Sequence, residues 1–316
     1  MKAIILENNK LLLEEVEKPL RKSGESLVKV TMAGICNTDI ELTKGYMDFS
    51  GIPGHEFVGV VEESDNKKLI GKRVVGEINA GCGKCDWCKK EMERHCPERT
   101  VLGILKHGGA FAEYLVLPDK NLFTLQEHVT DEEAVFTEPL AAALEIHEQI
   151  NIGKNDSICV IGDGKLGILI TLALSLTSKD VTILGRHTNK LSIAAQNGAK
   201  PFLGDNLNRR FDIVVEASGS PSGWKTAINL VKPRGIIVLK STYSENLDFN
   251  PAPLVINEIT LVGSRCGRFA PALYLLENRK INPKPLIQKT FSFDTFKDAF
   301  QLAQSKGALK IVLQFD

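Results

Sequence analysis

The stretch DSICVIGDGKLGILITLALSL, residues 156–176, has the pattern of a short strand, a glycine turn and an apolar helix. Residues 158–161 are apolar and mostly β-branched, and the helix is predicted to begin near Leu166. The turn has the pattern G-x-G-x-x-G, in which backbone N–H groups approach a pyrophosphate at the helix start. The stretch therefore predicts a dinucleotide-binding turn. Its predicted binding residues are Gly162, Gly164, Lys165, Leu166 and Gly167.

A second strand-like run, DVTILGRH at residues 180–187, follows the helix as a βαβ unit requires. Proteins that bind NAD usually have Asp or Glu at the end of this strand, where the carboxylate binds the ribose hydroxyls. This chain has Gly185 and Arg186 there. Because an arginine without a neighbouring carboxylate fits a ribose 2′-phosphate, the sequence predicts NADP in preference to NAD. The alternative is a solvated basic turn.

More strand-like runs follow, namely FDIVVEASG at 211–219, GIIVLKS at 235–241 and NEITLVGS at 257–264. This alternation continues to about residue 268 and predicts an α/β domain with a parallel sheet. One connection is short, because only about ten residues separate Leu203 from Ile213. A crossover helix barely fits that length, so a shortened loop or a missing helix is expected there.

The composition is that of an ordinary globular protein, with 316 residues, 43% of them hydrophobic, and 39 basic residues balancing 39 acidic ones. The length indicates about two domains. The chain has no basic excess that would attract nucleic acid or an acidic membrane, so neither is expected as a partner. There are seven cysteines and no apolar N-terminal run behind a basic start. These features predict a cytoplasmic protein without a membrane span.

Four of the seven cysteines lie within GEINAGCGKCDWCKKEMERHCPE, residues 76–98. The cluster consists of Cys82, Cys85, Cys88 and Cys96. In a reducing compartment such a cluster more often binds a metal than forms disulfides, and four thiolates make a closed tetrahedral zinc shell. A structural zinc that holds this loop is the favoured interpretation. An iron–sulfur cluster and a redox-active cysteine pair are alternatives, whereas the mixed charge of the segment argues against a zinc ribbon that binds phosphates.

A second set of metal-binding side chains lies on either side of this segment. Cys36 follows a strand-like stretch, and His55 and Glu56 follow Gly54 just before another. Glu138 precedes a proline at an expected helix start. A thiolate, an imidazole and a carboxylate form a three-ligand set that leaves the fourth tetrahedral position open for water or an alcohol. Taken singly, each residue also has an ordinary structural interpretation, such as a buried cysteine or a favourable charge at a helix start.

The motifs occur along the chain in a fixed order: Cys36, then Gly54-His55-Glu56, then the four-cysteine segment, then the glycine turn. With this order the chain resembles the zinc-dependent medium-chain alcohol dehydrogenases over essentially its whole length. It is most similar to the polyol and sugar branch (sorbitol, threonine and glucose dehydrogenases), because Glu138 stands where the alcohol branch has a cysteine ligand. The resemblance implies a GroES-like β-rich catalytic domain and a Rossmann domain with a doubly wound parallel sheet. The catalytic domain would comprise residues 1–138 and 269–316, with a structural-zinc lobe at about 80–98, and the NAD(P)-binding domain would comprise 139–268.

The resemblance also implies two zinc ions per chain and an active site built on the first of these domains. Cys36 and His55 would be direct ligands of the catalytic zinc, while Glu56 and Glu138 compete for the remaining protein position. Zinc would polarise the oxygen of a small alcohol or polyol, and hydride would pass between its carbinol carbon and NAD(P). Thr38 matches the hydroxyl that relays the substrate proton.

Two further expectations and two alternatives accompany the resemblance. Lys190 matches a position where relatives have a basic residue near the ribose, and a homo-dimer or homo-tetramer is expected. One alternative is a zinc-free quinone or enone reductase of the same fold. The other is a non-catalytic protein that binds zinc and a nucleotide.

Overall fold

The structure is a computed structural model that describes residues 1–242 and 249–316. The strands are β1 Lys2–Glu7, β2 Lys10–Glu15, β3 Glu25–Ile35, β4 Glu56–Ser64, β5 Arg73–Gly76, β6 Asn79–Ala80, β7 Thr100–Val101, β8 Tyr114–Pro118, β9 Leu122–Thr124, β10 Ser157–Ile161, β11 Asp180–Gly185, β12 Lys200–Leu203, β13 Phe211–Glu216, β14 Val231–Leu239, β15 Thr260–Gly263, β16 Ile287–Ser292 and β17 Lys310–Gln314. The α-helices are α1 Asn37–Leu42, α2 Asp86–Lys89, α3 Asp131–Ala134, α4 Thr137–Gln149, α5 Lys165–Ser175, α6 Thr188–Ala195, α7 Pro221–Leu230, α8 Ala252–Ile256, α9 Phe269–Glu277 and α10 Phe296–Ala303. Short 3₁₀ turns are Tyr46–Asp48, Glu93–His95, Asp119–Asn121, Lys284–Leu286 and Phe293–Thr295.

The chain forms two compact units. The first consists of Met1–Glu138 and Phe269–Asp316, and the second of Pro139–Arg268. Among the described residues, no helix has both the length and the apolar character that a membrane crossing requires.

The first unit is built on a mostly antiparallel sheet in the order β16-β17-β3-β4-β5-β9, with β8 also paired to β3. The central strand is the 11-residue β3, whose side chains are largely buried. In the β3–β4 register Gly34 lies opposite Glu56, and in the β3–β17 register Ile311 lies opposite Ile35. The C-terminal end of β3 therefore lies beside the first residues of β4 and β17. This end of the sheet carries Cys36, His55 and Glu56.

The second unit contains a sheet in the order β12-β11-β10-β13-β14-β15, and each of its pairings is parallel. Every residue of β10 is buried, as expected for an interior strand covered on both faces. The apolar helix α5 is buried along most of its length, and Phe211, Val214 and Trp224 belong to the core that fills one side of the sheet. The predicted α/β class with a parallel sheet is confirmed.

The short connection expected between Phe202 and Ile213 is also present. Residues 204–210 join β12 to β13 without a helix. The reason is the length of the connection, because seven residues have room for a loop but not for several helical turns.

Candidate active site

Cys36, His55 and Glu56 come together where the central strands β3 and β4 of the first unit's sheet end and begin. One ligand atom from each lies within 4.8 Å of the others, in one of two such groups among residues 1–242 and 249–316. Cys36 is the N-cap of α1 directly after β3, His55 precedes β4, and Glu56 is the first residue of β4. His55 is 3% exposed and Glu56 1% exposed, so water reaches the group mainly from the side of the half-buried Cys36.

Asp39, a residue that the sequence motifs did not indicate, holds both of the chain segments that carry these three residues. One carboxylate oxygen accepts the backbone N–H of Cys36 at 2.8 Å, and the other accepts the N–H of Gly54 at 3.2 Å. The same second oxygen lies 3.2 Å from Nδ1 of His55, a contact whose angle falls short of an aligned hydrogen bond. A signal was present in the sequence, because an acidic residue three positions after a helix N-cap typically reaches back to the cap.

The charges around His55 make it basic. Burial lowers the pKa of His55, but the neighbouring Asp39 and Cys36 outweigh it and hold that pKa well above the usual imidazole value. Negative charges concentrated on a buried imidazole are the environment in which a metal cation can replace the proton. The donor set of sulfur, nitrogen and oxygen fits zinc.

Glu56 has a buried cationic partner, Lys310, the first residue of β17. Both side chains are 1% exposed and form a close ion pair. β3 lies between β4 and β17, so the Glu56 side chain must cross β3 to reach Lys310. It crosses at Gly34, where a β-carbon would be 2.3 Å from a Glu56 carboxylate oxygen. Gly34 is therefore required for this ion pair.

The four-cysteine segment forms a separate group in which the four sulfur atoms lie within 4.8 Å of one another. Sγ of Cys85 is 3.6 Å from that of Cys88 and 3.7 Å from that of Cys96. A tetrahedron with metal–sulfur bonds of about 2.3 Å has edges of about 3.8 Å. The spacing thus fits one tetrahedral ion.

The glycine turn between β10 and α5 has the geometry that a dinucleotide needs. Gly162 has φ +115°, and a β-carbon on Gly167 would be 2.0 Å from the Gly162 carbonyl oxygen. Gly164 is the N-cap of α5, and a β-carbon there would meet nothing within 4 Å. The first and third glycines are therefore needed for the turn itself, whereas the second leaves open space at a helix start.

Comparison with known proteins identifies the family. Residues 22–127 match the alcohol dehydrogenase GroES-like domain, and residues 166–278 match the zinc-binding dehydrogenase domain. The starvation-sensing protein RspB of Escherichia coli K12 is 31% identical, over 100% of this chain and 99% of that protein. The chain belongs to the zinc-binding alcohol dehydrogenases.

Two further comparisons place the chain in a branch of that family. The sorbitol dehydrogenase of Halalkalibacterium halodurans is 27% identical, over 95% of this chain and 94% of that enzyme. The crystal structure of an alcohol dehydrogenase (rspB) from Escherichia coli CFT073 with NADH is 30% identical, with a TM-score of 0.92, and covers 100% of this chain and 99% of that one. The predicted membership of the polyol and sugar branch is confirmed, as are the GroES-like and Rossmann fold class and the NAD(P)-dependent oxidation or reduction of an alcohol or polyol.

Two further residues that the sequence assigned to the active site of this dehydrogenase, one as the proton relay and one as a candidate zinc ligand, have distinct surroundings. The Thr38 hydroxyl is 3.8 Å from Sγ of Cys36, in the first turn of α1. Glu138 lies half-buried in the first turn of α4 and is not part of the group formed by Cys36, His55 and Glu56 among the described residues.

The thiols in the cysteine segment of the dehydrogenase differ in pKa. Backbone N–H groups of Lys84 and Cys85 lower the pKa of Cys82 to about 7. Burial raises the pKa of Cys88 to about 12. A metal ion that binds Cys88 replaces the thiol proton, so binding at this segment is coupled to the loss of that proton and stabilises the folded loop.

The end of β11 carries the predicted cofactor residues of the second unit. Arg186 is exposed, and its guanidinium lies 3.0 Å from the carboxylate of the exposed Asp205. Lys190 is 5% exposed on α6, and burial lowers its pKa. Gly185 has no side chain, but the carboxylate of Asp163 from the glycine turn fills the space beside it.

Proposed function

We propose that this chain is a dehydrogenase with two zinc ions, which transfers hydride between the carbinol carbon of an alcohol or polyol and a nicotinamide dinucleotide, with NADP preferred over NAD. The observation that carries the proposal is the group of Cys36, His55 and Glu56, a three-donor set with an open side. When bound, zinc supplies a Lewis acid that lowers the pKa of the substrate hydroxyl, and the nicotinamide accepts the hydride.

The residues of this site have different roles, namely metal binding, positioning of the ligands and proton relay. Cys36 and His55 hold the ion, and Asp39 fixes both of their segments through the backbone N–H groups of Cys36 and Gly54. Thr38 would relay the proton that the substrate hydroxyl loses, accepting it while its own hydroxyl proton passes on towards solvent, and its position beside the Cys36 sulfur supports this role.

Glu56 and Glu138 compete for the remaining protein position on the catalytic zinc. Glu56 belongs to the donor group, but one of its carboxylate oxygens pairs with Lys310, which leaves the other for the metal. Glu138, in the first turn of α4, is the candidate to replace Glu56 or to hold the water beside it. Retention of zinc in Glu56→Gln and in Glu138→Gln distinguishes the two carboxylates.

The second zinc is structural and is held by Cys82, Cys85, Cys88 and Cys96. Four thiolates at tetrahedral spacing leave no position for substrate, so this ion stabilises the lobe at about residues 80–98 and takes no part in the reaction.

NADP is the preferred dinucleotide in this proposal because Gly185 has no carboxylate of its own and Arg186 is exposed beside it. The predicted cofactor contacts are those of Gly162, Gly164, Lys165, Leu166 and Gly167 with the pyrophosphate, and those of Arg186 and Lys190 with the ribose. The NADH bound to the relative from Escherichia coli CFT073 belongs to that protein's site.

The same proposal assigns the two units and the assembly. Residues 1–138 and 269–316 form the catalytic domain, and residues 139–268 form the NAD(P)-binding domain. The grouping of four cysteines at metal-binding spacing supports a cytoplasmic enzyme, because such clusters are typical of a reducing compartment. The exposed edge of β15 and the exposed apolar residues of α8 support a homo-dimer, or a homo-tetramer built from such dimers.

Cys36→Ser, with Cys266→Ser as the matched control, tests the function. Turnover is followed by nicotinamide absorbance across a panel of alcohols and polyols with NAD and NADP in parallel. Cys36→Ser should lose one of two zinc ions and lower kcat/KM by roughly 1000-fold or more, because Lewis-acid stabilisation is worth several kcal/mol. Cys266→Ser should behave like the wild type.

Three results would contradict the proposal. One is a folded wild-type protein with one zinc ion or none. Another is a Cys36→Ser variant with wild-type turnover, which would favour a zinc-free reductase. The third is a protein with two zinc ions and a bound dinucleotide that turns over no alcohol, which would favour a non-catalytic binding protein.

A further inference from the structure

The end of β11 has no acidic residue of its own, but the carboxylate of Asp163 lies beside it in the folded chain. A β-carbon on Gly185 would lie 2.5 Å from both Cβ and Oδ2 of Asp163. Asp163 is the residue between the first two glycines of the turn, so a different strand–turn element delivers its side chain to this position. The space that a side chain at position 185 would take is occupied by the Asp163 carboxylate.

Hydrogen bonds fix Asp163 there. Oδ2 accepts the backbone N–H of Arg186 and that of His187, each at 2.7 Å, and Nδ1 of His187 lies 3.0 Å from the same oxygen. Burial opposes ionisation, but the hydrogen bonds from His187 and Arg186 outweigh it and lower the pKa of Asp163, so the group is a carboxylate at neutral pH. The side chain is 11% exposed, and a carboxylate has about four lone-pair positions, which leaves capacity for another hydroxyl.

Dinucleotide-binding units distinguish their cofactors at this position. A carboxylate at the end of the second strand binds the ribose hydroxyls and repels a 2′-phosphate, whereas an arginine accommodates the phosphate. Here both charges are present. Arg186 directly follows Gly185, and the Asp163 carboxylate lies in the space beside Gly185. Lys190 adds a second positive charge, which Asp163 stabilises.

We infer that Asp163 is a second specificity-determining residue for the dinucleotide, in which a carboxylate carried by the glycine turn replaces the one missing at Gly185 and opposes the 2′-phosphate that Arg186 attracts. This inference rests on the proposed nicotinamide site. It makes the preference for NADP the difference between two opposed charges, so that NAD remains a usable cofactor.

Asp163→Asn tests the inference in the zinc-loaded enzyme, because it removes the charge and nearly conserves the shape. Dissociation constants are measured for NADH and NADPH, and for 5′-AMP and 2′,5′-ADP as fragments that differ only by the 2′-phosphate. The variant should raise the affinity for the 2′-phosphorylated ligand relative to its partner by about tenfold in both pairs. The control is Glu258→Gln, which removes one negative charge from an exposed ion pair of the same unit and should leave both ratios unchanged.

A second variant keeps the test valid if Asp163→Asn weakens the turn. In Asp163→Gly combined with Gly185→Asp, the carboxylate returns to the end of β11, and the wild-type ratios should be retained. An unchanged ratio in Asp163→Asn, or an equal loss of affinity for both members of each pair, would overturn the inference and leave Asp163 a purely structural residue. A wild-type protein that binds neither NADH nor NADPH would instead overturn the proposed function on which the inference rests.

Discussion

Arg186 is the side chain on which the predicted cofactor preference depends. It is exposed and pairs with an exposed Asp205, so its loss should cost the fold little. Arg186→Ala should weaken NADPH binding by roughly 1.5–3 kcal/mol, the range for a charged hydrogen bond, with NADH binding nearly unchanged. Fluorescence titration measures both. Arg234→Ala, at another exposed arginine of the same unit, is the control, and equal losses for both cofactors in Arg186→Ala would show a solvated turn residue.

The Glu56–Lys310 ion pair is the most deeply buried one beside the catalytic group. Replacing Lys310 with Met leaves the Glu56 charge buried without its partner, and such losses cost about 3–5 kcal/mol of the free energy of unfolding. Denaturant unfolding of the zinc-free form of each variant measures the effect, because Glu56 is also a candidate zinc ligand. The double variant Glu56→Gln with Lys310→Met should be more stable than Lys310→Met alone, because it removes the unpaired charge.

An equal loss of stability in the single and double Lys310 variants would contradict this assignment. The cost would then arise from the lost packing of the lysine side chain, including its contact with the Phe136 ring 5.7 Å away, and not from an unpaired charge.

Sequence reasoning at the residue scale succeeds where the residue type carries the chemistry. The residue types of Cys36, His55 and Glu56 predict a zinc site, because thiolate, imidazole and carboxylate are zinc ligands, and their segments do lie together. Lys310 could not be selected in this way. It is 254 positions from Glu56, and the pair exists only because β17 and β4 flank β3 at a glycine. The role of Asp163 is not predictable from the sequence for a related reason, since it occupies a variable position of the glycine pattern.

The strand–turn–helix of residues 156–176 allows two of its glycines to be distinguished by experiment. Gly167→Ala places a β-carbon 2.0 Å from a backbone oxygen and should cost about 1–3 kcal/mol of stability. Gly164→Ala meets open space at an ordinary φ of −74°, so stability should change by less than about 0.5 kcal/mol. Its β-carbon would instead obstruct the pyrophosphate and weaken dinucleotide binding by about tenfold.

Thermal unfolding and cofactor titration of these two glycine variants give the answer. The opposite pattern, with Gly164→Ala unstable and Gly167→Ala unaffected, would show that the turn has been assigned the wrong close contacts.

The four-cysteine lobe should depend on its metal. Cys88→Ser removes a ligand and should leave one zinc ion per chain instead of two, with a loss of several kcal/mol in the stability of the lobe and little effect on the chemical step of the folded fraction. Metal analysis and single-turnover kinetics measure the two effects, with Cys266→Ser as the cysteine control. Loss of the chemical step with both zinc ions retained would contradict a structural role.

Elements were predictable from sequence where a local pattern specifies them. The glycine turn, the apolar helix and the strands that follow were found from periodicity, and the missing crossover helix followed from chain length alone. The order of the strands was not readable in this way. β3 pairs with β4, β8 and β17, and only the first is its neighbour among the strands of the chain, because the other pairings join distant segments whose registers no local pattern records.

At the scale of the whole molecule, the outer edge of the parallel sheet resembles an interface. β15 pairs with β14 on one side and is the last strand in the order, and an exposed edge of this kind exposes backbone groups that can pair with another chain. Beside it in sequence, Val255 and Ile256 of α8 are 76% and 77% exposed, and Leu261 of β15 is 37% exposed. Apolar side chains next to an open strand edge favour a second copy of the chain as their partner.

Ile256→Glu should therefore separate the proposed assembly. The wild type is expected to sediment at twice the monomer mass of 34.7 kDa or at a higher multiple, and the variant at the monomer mass, because a charge in a two-fold interface meets its own copy and loses its hydration. Leu176→Glu is the matched control, since Leu176 is a 50% exposed apolar residue of the same unit outside α8 and β15. Sedimentation velocity over a hundredfold range of concentration distinguishes a weakened dimer from a monomer. A monomeric wild type, or a variant that assembles like the wild type while Leu176→Glu does not, would contradict an interface at this edge.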